Sequence, residues 1–178
     1  MPTPPTFVTG AVLTAAQMNT IGMFLVKTQT IGTGVSSVTV TGAFSADYDN
    51  YFITVNGGSS SATGIIALRL GATVTNYRNS YVYTSWNSTV TGAGSSTDTS
   101  FLRFGRNTTG APSVGACQLF NPFAAAPTRL IGADISGGDG GAYVGLMDNT
   151  TSYTDFTILP ILGGTLTGGT IRVYGYRN

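Results

Sequence analysis

From residue 35 onward the chain consists of short runs in which apolar and polar residues alternate, separated by clusters of turn-forming residues. These runs predict strands near residues 35–41, 50–56, 64–70, 79–87, 100–106, 113–120, 128–135, 142–147, 153–159 and 168–176. Turn clusters such as "NGGSSS", "NSTVTGAGSSTDT" and "SGGDGG" lie between the runs. Roughly ten short strands at near-even spacing predict an all-β protein, and a jelly-roll-like antiparallel β-sandwich is the favoured architecture.

The alternation also predicts which side chains share a face. Tyr51, Ile53 and Val55 lie on one face of their strand, because successive side chains point to opposite sides of a sheet. Near the end of the chain, Ile171 and Val173 share a face in the same way, and Arg172, Tyr174 and Tyr176 share the other.

The segment before the first strand has a different pattern. Residues 1–12 are rich in proline, which favours an extended arm. The stretch "LTAAQMNTIGMFLVKTQT" (residues 13–30) predicts a helix, because Thr14 and Gln17 have capping-box spacing and Met18, Ile21 and Leu25 repeat at helical intervals. Such a short helix is marginal in water alone, so its apolar stripe must pack on its own domain or on a partner.

Composition excludes several classes of function. Charged residues make up 8% of the 178 residues and the net charge is +1, which argues against a nucleic-acid binder that neutralises phosphates. No segment is long and apolar enough to span a bilayer, so we expect no membrane insertion. Cys117 is the single cysteine and lies in an apolar run, which predicts a small buried side chain rather than a nucleophile.

The sequence contains little material for acid–base catalysis. It has no His and no Glu, and its acids are seven Asp. Asp47 and Asp49 lie two residues apart in "SADYDNY", but Asp beside Asn before a strand is ordinary turn chemistry. No loop shows the ligand spacing of a calcium site, so no metal and no cofactor are predicted.

An aromatic cluster in "NYRNSYVYTSWN" is the most distinctive polar and aromatic group in the chain. Tyr and Trp with Asn and Arg are typical both of sugar-stacking sites and of protein interfaces. A sandwich core or a subunit interface is the favoured interpretation, and a glycan site is the alternative. The candidate contacts are Tyr77, Arg78, Tyr81, Tyr83, Trp86 and Asn87.

Both ends of the chain resemble a known group of proteins. The opening "PPTFVTGAVLTAAQMNTIG" is similar to the N-terminal attachment segment of many bacteriophage structural proteins, in which a Phe-x-x-Gly-x-x-Leu-Thr-Ala-Ala-x-Met/Leu-Asn run precedes the body. The stretch "VKTQTIGTGVSSVTVTGAFSADYDNYFITVNG" and the ending "GGTLTGGTIRVYGYRN" resemble the β-rich domain of small virion proteins of the minor tail or fibre type. This resemblance implies a symmetric oligomer, often a homotrimer, that carries no enzyme site.

On this resemblance we expect two parts. Residues 1–30 form an arm and helix that attach to the particle, and residues 31–178 form the β-sandwich that is displayed. The attachment contacts are expected at the apolar side chains Phe7, Val12, Leu13, Met18, Ile21, Phe24 and Leu25.

The expected function is that of a non-enzymatic virion structural protein, made in the bacterial host cytoplasm and located on the virion surface. A tail or fibre adhesin contacting host surface glycan is favoured, and a capsid decoration protein (cement or head fibre) is the alternative. A glycan-cleaving enzyme that uses Asp residues is a remote alternative. Expected partners are further copies of the chain, another virion protein (tail, portal-proximal or major capsid) and a host surface glycan.

Overall fold

The computed structural model describes residues 9, 10, 12, 14, 22–87, 90–135 and 138–176. Within these residues it contains fourteen β-strands and no helix. The strands are β1 (Met23–Thr30), β2 (Val38–Val40), β3 (Asn50–Gly57), β4 (Ser59–Ser60), β5 (Gly64–Leu70), β6 (Tyr77–Ser85), β7 (Val90–Asp98), β8 (Phe101–Asn107), β9 (Ser113–Phe120), β10 (Thr128–Ile135), β11 (Asp139–Met147), β12 (Phe156–Pro160), β13 (Leu166–Thr167) and β14 (Thr170–Tyr176).

The strands form two antiparallel layers. The large layer runs β1-β14-β3-β9-β10-β11-β6-β7, and the small layer runs β2-β12-β5-β8. A bridge between Arg106 and Val114 joins β8 to β9, so that the two layers are one twelve-stranded sheet folded back on itself. Strands β4 and β13 make a separate pair. The predicted all-β sandwich is therefore present.

The core lies between the two layers. Tyr51, Ile53 and Val55 are at most 1% exposed, and Ile171 and Val173 are fully buried. Each group therefore shares one face of its strand, as the alternation predicted, and that face is the one towards the core. Burying each such aliphatic or aromatic side chain contributes about 1.5–3 kcal/mol. The small layer adds the buried side chains Val38, Val40, Ile66, Leu68, Leu70, Phe156 and Ile158.

Several strand glycines make room for aromatic rings in this core. A Cβ at Gly132 would lie 2.4 Å from the hydroxyl oxygen of Tyr143, and a Cβ at Gly145 would lie 2.4 Å from the Phe101 ring. The Tyr143 hydroxyl reaches the carbonyl oxygens of Phe104 (3.1 Å) and Ala116 (3.0 Å), which belong to β8 and β9. This tyrosine thus links the two strands at the fold where the layers meet.

The predicted helix at residues 13–30 is wrong over residues 23–30, which form β1. This strand pairs with β14 at the edge of the large layer, and its register shifts between Leu25 and Lys27. The main chain of β14 offers a full row of hydrogen-bonding groups to residues 23–30, and this pairing outweighs a local helical preference. The rest of the predicted helix and arm, apart from residues 9, 10, 12, 14 and 22, lies outside the described residues.

A second difference concerns β7. Its sequence "VTGAGSSTD" was expected to be part of a turn cluster, because Gly and Ser are depleted in strands. It nevertheless pairs with β6 from Thr84↔Val90 to Tyr77↔Asp98 as the outermost strand of the large layer. An edge strand needs little side-chain packing, since one of its sides faces no neighbour.

Candidate functional site

The six predicted aromatic-cluster residues lie on β6 and the turn after it, but they do not share one environment. Tyr77 is fully buried, and the backbone N–H of Leu70 donates to its hydroxyl oxygen at 2.7 Å. Its ring meets Phe101 edge-on at 5.0 Å between centroids. Burial raises the pKa of the Tyr77 phenol, so the hydroxyl keeps its proton. Tyr77 is a core residue.

Tyr81 and Tyr83 point to the same inner face of the large layer. Both are half-buried, and their ring centroids are 6.1 Å apart. The guanidinium carbon of Arg103 lies 4.1 Å from the Tyr83 ring centroid and 5.3 Å from that of Tyr81. These distances allow cation–π attraction. The two rings are therefore engaged by an arginine of the opposite layer.

Arg103 belongs to a buried ionic cluster that the sequence did not reveal. Its Nη2 lies 3.2 Å from Oδ1 and 3.0 Å from Oδ2 of Asp134, and 3.9 Å from Oδ1 of Asp139. Nη2 of Arg106 donates to Oδ2 of Asp139 at 2.8 Å. The Arg103 and Asp134 side chains are 2% and 0% exposed. Two cations and two anions are thus brought together between the layers.

The local backbone explains how Arg103 reaches this place. The pairing of β5 with β8 changes register between Ile66 and Leu68, which leaves a bulge in β8. Arg103 lies in this bulge with φ at 61°, a conformation that is rare for residues other than glycine. The arginine side chain of this bulge is buried between the layers, where it meets Asp134.

Electrostatics favour a structural interpretation of this cluster. Desolvation raises the pKa of the Asp134 carboxyl, and the nearby charges and hydrogen bond of Arg103 counteract part of that effect. Oδ2 of Asp134 lies within ion-pair distance of Arg103 but makes no hydrogen bond among the described residues. Both carboxylates of the cluster are held by guanidinium groups rather than presented to a cleft. Asp47, in contrast, accepts from the Ser45 hydroxyl in a turn, as its sequence context predicted.

Trp86 and Asn87 follow β6 and are exposed. The Trp86 side chain is 59% exposed, and its ring lies over Gly140, where an added Cβ would be 3.4 Å from Cη2. Arg78, at the other end of β6, is exposed and forms an ion pair with Asp148 at 2.5 Å. Of the six candidate contacts, Arg78, Trp86 and Asn87 are therefore exposed, and only Trp86 offers a largely open ring.

A larger apolar surface lies on the outer face of the large layer, which we define as the side away from the core. Paired residues of neighbouring strands share a face, so side chains form rows across the strands. One row, here called the ridge row, crosses β14, β3, β9, β10 and β11 at Tyr174, Phe52, Gln118, Ile131 and Val144. The adjacent small row crosses β3, β9, β10 and β11 at Thr54, Ala116, Ala133 and Ala142.

Over β10 and β11 this outer face carries few of the polar side chains expected of a face open to solvent. Ile131, Val144 and Val82 are 45%, 50% and 55% exposed, and Ile135 is 51% exposed. Antiparallel sheets that face water on one side normally carry polar residues there. Shallow depressions on the face are lined by side chains of the two rows, including Phe52, Ile131 and Ala142. A contiguous exposed apolar surface of this kind is typical of an interaction site.

The predicted attachment residues are only partly within the described chain. Val12 is 87% exposed, and Leu25 is 56% exposed on the outer face, where it pairs with Tyr174. Phe24 is half-buried, with its ring 6.5 Å from that of Tyr48. Phe7, Leu13, Met18 and Ile21 lie outside the described residues.

Two further observations concern other classes of site. In the part of the chain that the structure describes, no group of three His, Cys, Asp or Glu side chains is placed to hold a metal ion. No helix long and apolar enough to cross a membrane occurs among the same residues. Cys117 is 1% exposed, and burial raises the pKa of its thiol, which agrees with the predicted small buried side chain.

Comparisons with known proteins add little to this description. No protein-family model and no curated protein matches the chain. Among solved structures, the chain has a weak similarity to "Structure of infectious bursal disease virus Gx strain", with 10% sequence identity and a TM-score of 0.13. The match covers 85% of this chain and spans 41% of that one. A TM-score this low carries no argument about fold or function.

Proposed function

We propose that the chain is a non-enzymatic structural protein of a bacteriophage particle, displayed on the virion surface after synthesis in the host cytoplasm. The observation that carries this proposal is the outer face, where apolar side chains such as Ile131 and Val144 stand half-exposed on a six-strand surface. A protein with 8% charged residues and such a face is suited to permanent contact with other proteins. The resemblance of both chain ends to virion proteins is the reason for assigning these contacts to a bacteriophage particle.

In this proposal the two parts of the chain have different roles. The β-sandwich, with a jelly-roll-like arrangement, is the displayed domain, and it assembles with further copies of itself. The N-terminal segment binds another virion protein of the tail, portal region or capsid. Because β1 is an edge strand of the large layer, we assign attachment mainly to residues 1–22, with Leu25 adjoining them.

Particle labelling combined with truncation tests this function. An antibody raised against the folded domain is expected to decorate intact particles at regular positions in electron micrographs. A chain that starts at Met23 keeps β1 and is expected to fold but to be absent from purified particles. A matched chain that starts at Met1 and carries Ala72→Arg in an exposed turn should still be incorporated. Unlabelled particles, or normal incorporation of the truncated chain, would contradict the proposal.

A second role on the same particle is favoured by the position of Trp86. An exposed indole beside Asn87 can stack on a sugar ring, which contributes on the order of 1 kcal/mol per site. Several copies on one particle would raise avidity by about a hundredfold or more without any new contact. A tail or fibre adhesin would need this, whereas a capsid decoration protein would not. Particles carrying Trp86→Ala should adsorb poorly to host cells under the adhesin hypothesis and normally under the decoration hypothesis.

A further inference from the structure

The outer face has the size of a protein–protein interface. It crosses β14, β3, β9, β10, β11 and β6, which at about 4.8 Å between strands gives a width of about 24 Å. Its four rows, from the row of Arg129 to the row of Ile135, extend over about 20 Å along the strands, so one face has a flat outline of about 500 Å². Two such faces together would bury about 1,000 Å², the lower limit for a specific interface. The area therefore suits a pair of chains that forms at micromolar concentration.

The outer face is complementary in shape to a second copy of itself, because a row of large side chains lies beside a row of small ones. The ridge row carries Phe52, Gln118, Ile131 and Val144, and the small row beside it carries Thr54, Ala116, Ala133 and Ala142. The two rows are about 6.7 Å apart, since they are separated by two residues along each strand. A two-fold axis that lies in the interface plane, parallel to the rows and midway between them, places each copy's ridge row over the other copy's small row. Large side chains then meet small ones on both copies.

We propose that the outer face of the large layer is a self-interface, covered by the same face of a second copy of this chain through a two-fold axis. The contact is isologous, so the same residues serve on both chains. This pairing specifies how the copies named in the proposed function assemble. It depends on the proposed function only for the statement that the assembly takes place on a virion. It also differs from the homotrimer that the family resemblance implies, which makes the mass of the assembly decisive.

The charges of the face are compatible with this pairing. Arg172 extends the small row onto β14, where the axis places it over Tyr174 of the second copy. Arg129 and Arg78 lie in one row with Leu146, on the far side of the ridge row. The two-fold axis brings this row over the row of Ile135, Gly140 and Thr84 in the second copy, so arginines do not face arginines.

Sedimentation of the full chain tests the pairing. We expect a species with twice the 18.3 kDa chain mass at tens of micromolar. Ala133→Arg introduces a charge at the centre of the small row, on a side chain that is exposed in the single chain and so leaves folding intact. It should weaken the pairing by about a hundredfold or more, because the charge would be buried without a partner.

The control is Ala72→Arg, which makes the same substitution in an exposed turn after β5. It should leave the dimer unchanged, and circular dichroism of all variants should show the same strand content. A wild-type chain that stays monomeric at about 100 μM would overturn the inference, as would a dimer that Ala133→Arg does not affect or a mass of three chains. Each of these results would leave particle labelling, and hence the proposed virion role, intact.

Discussion

Replacing Arg103 by Met should destabilise the fold in a way that depends on pH. Methionine has an unbranched side chain like the arginine stem but no guanidinium group. Both residues have a Cβ, so the strain of a φ of 61° is the same for the two chains. The change leaves the Asp134 carboxylate buried without the Nη2 atom that lies 3.0 to 3.2 Å from its oxygens. It also removes the cation that lies 4.1 Å from the Tyr83 ring centroid.

The expected loss at pH 7 is about 3–5 kcal/mol of unfolding free energy, the usual effect of removing one partner from a buried ion pair. Desolvation raises the pKa of Asp134, and Arg103 counteracts this, so the variant raises that pKa further. A carboxyl whose folded pKa lies above its unfolded value of about 3.9 stabilises the fold when protonated, and this contribution is lost as pH rises through the folded pKa. The deficit of Arg103→Met should therefore shrink on going from pH 7 towards pH 4, by up to about 1.4 kcal/mol per unit.

Urea unfolding at pH 7, 6, 5 and 4 measures this dependence. The double variant Arg103→Met/Asp134→Asn has no carboxyl at position 134, so its deficit should be smaller at pH 7 and it should lack the gain in stability that the single variant shows towards pH 4. Arg69→Met is the control, because this half-buried arginine donates through Nε to the Thr99 carbonyl and should give a small deficit. If the single and double variants show equal deficits at every pH, the loss comes from packing on Tyr83 and the electrostatic reasoning is wrong.

Two further predictions concern glycine and tyrosine positions. Gly58→Ala should cost about 3 kcal/mol or more in thermal or urea unfolding, because φ is +70° and the new Cβ would lie 2.1 Å from the Gly168 carbonyl oxygen. Gly110→Ala, at φ +72° in open space, should cost only about 1 kcal/mol, and equal losses would refute the packing argument. Tyr143→Phe should cost about 1–3 kcal/mol, because its hydroxyl reaches two carbonyl groups where β8 and β9 meet. Tyr48→Phe, on a half-buried ring, should change stability by less than about 0.5 kcal/mol.

The strands that the sequence predicted well are those with one face in the core. In β3 and β14 every second residue is apolar and buried, so both the strand and its orientation follow from the alternation. Strand β1 was not predicted, because "MFLV" is apolar at four successive positions and so shows no alternation. Such a run suits the apolar stripe of a helix as well as a strand. Its partner β14 lies about 140 residues later in the chain, and no local pattern shows that pairing.

The ionic cluster could not be predicted from the sequence for a related reason. Arg103, Asp134 and Asp139 are distant in sequence, and each looks like an ordinary polar residue in its own segment. The bulge at Arg103 breaks the alternation of β8, where residues 103, 104 and 105 are all buried. A run of three buried residues within one strand could have indicated a bulge, but not which acid would meet the arginine.

The sequence also contains a sign of the apolar outer face, namely strands with apolar residues on both sides. The alternation of apolar and polar residues does not explain such strands. In β10, Leu130 points into the core while Ile131 and Ile135 point outward, so the strand is apolar on both sides. Strands with two apolar faces are expected where a second layer covers the sheet, and the small layer covers only the inner face. The low fraction of charged residues, 8%, agrees with the same explanation, because a covered face does not need the lysines and glutamates that keep an open sheet soluble. Composition and strand pattern therefore point to one missing layer, and the two-fold self-interface would supply it.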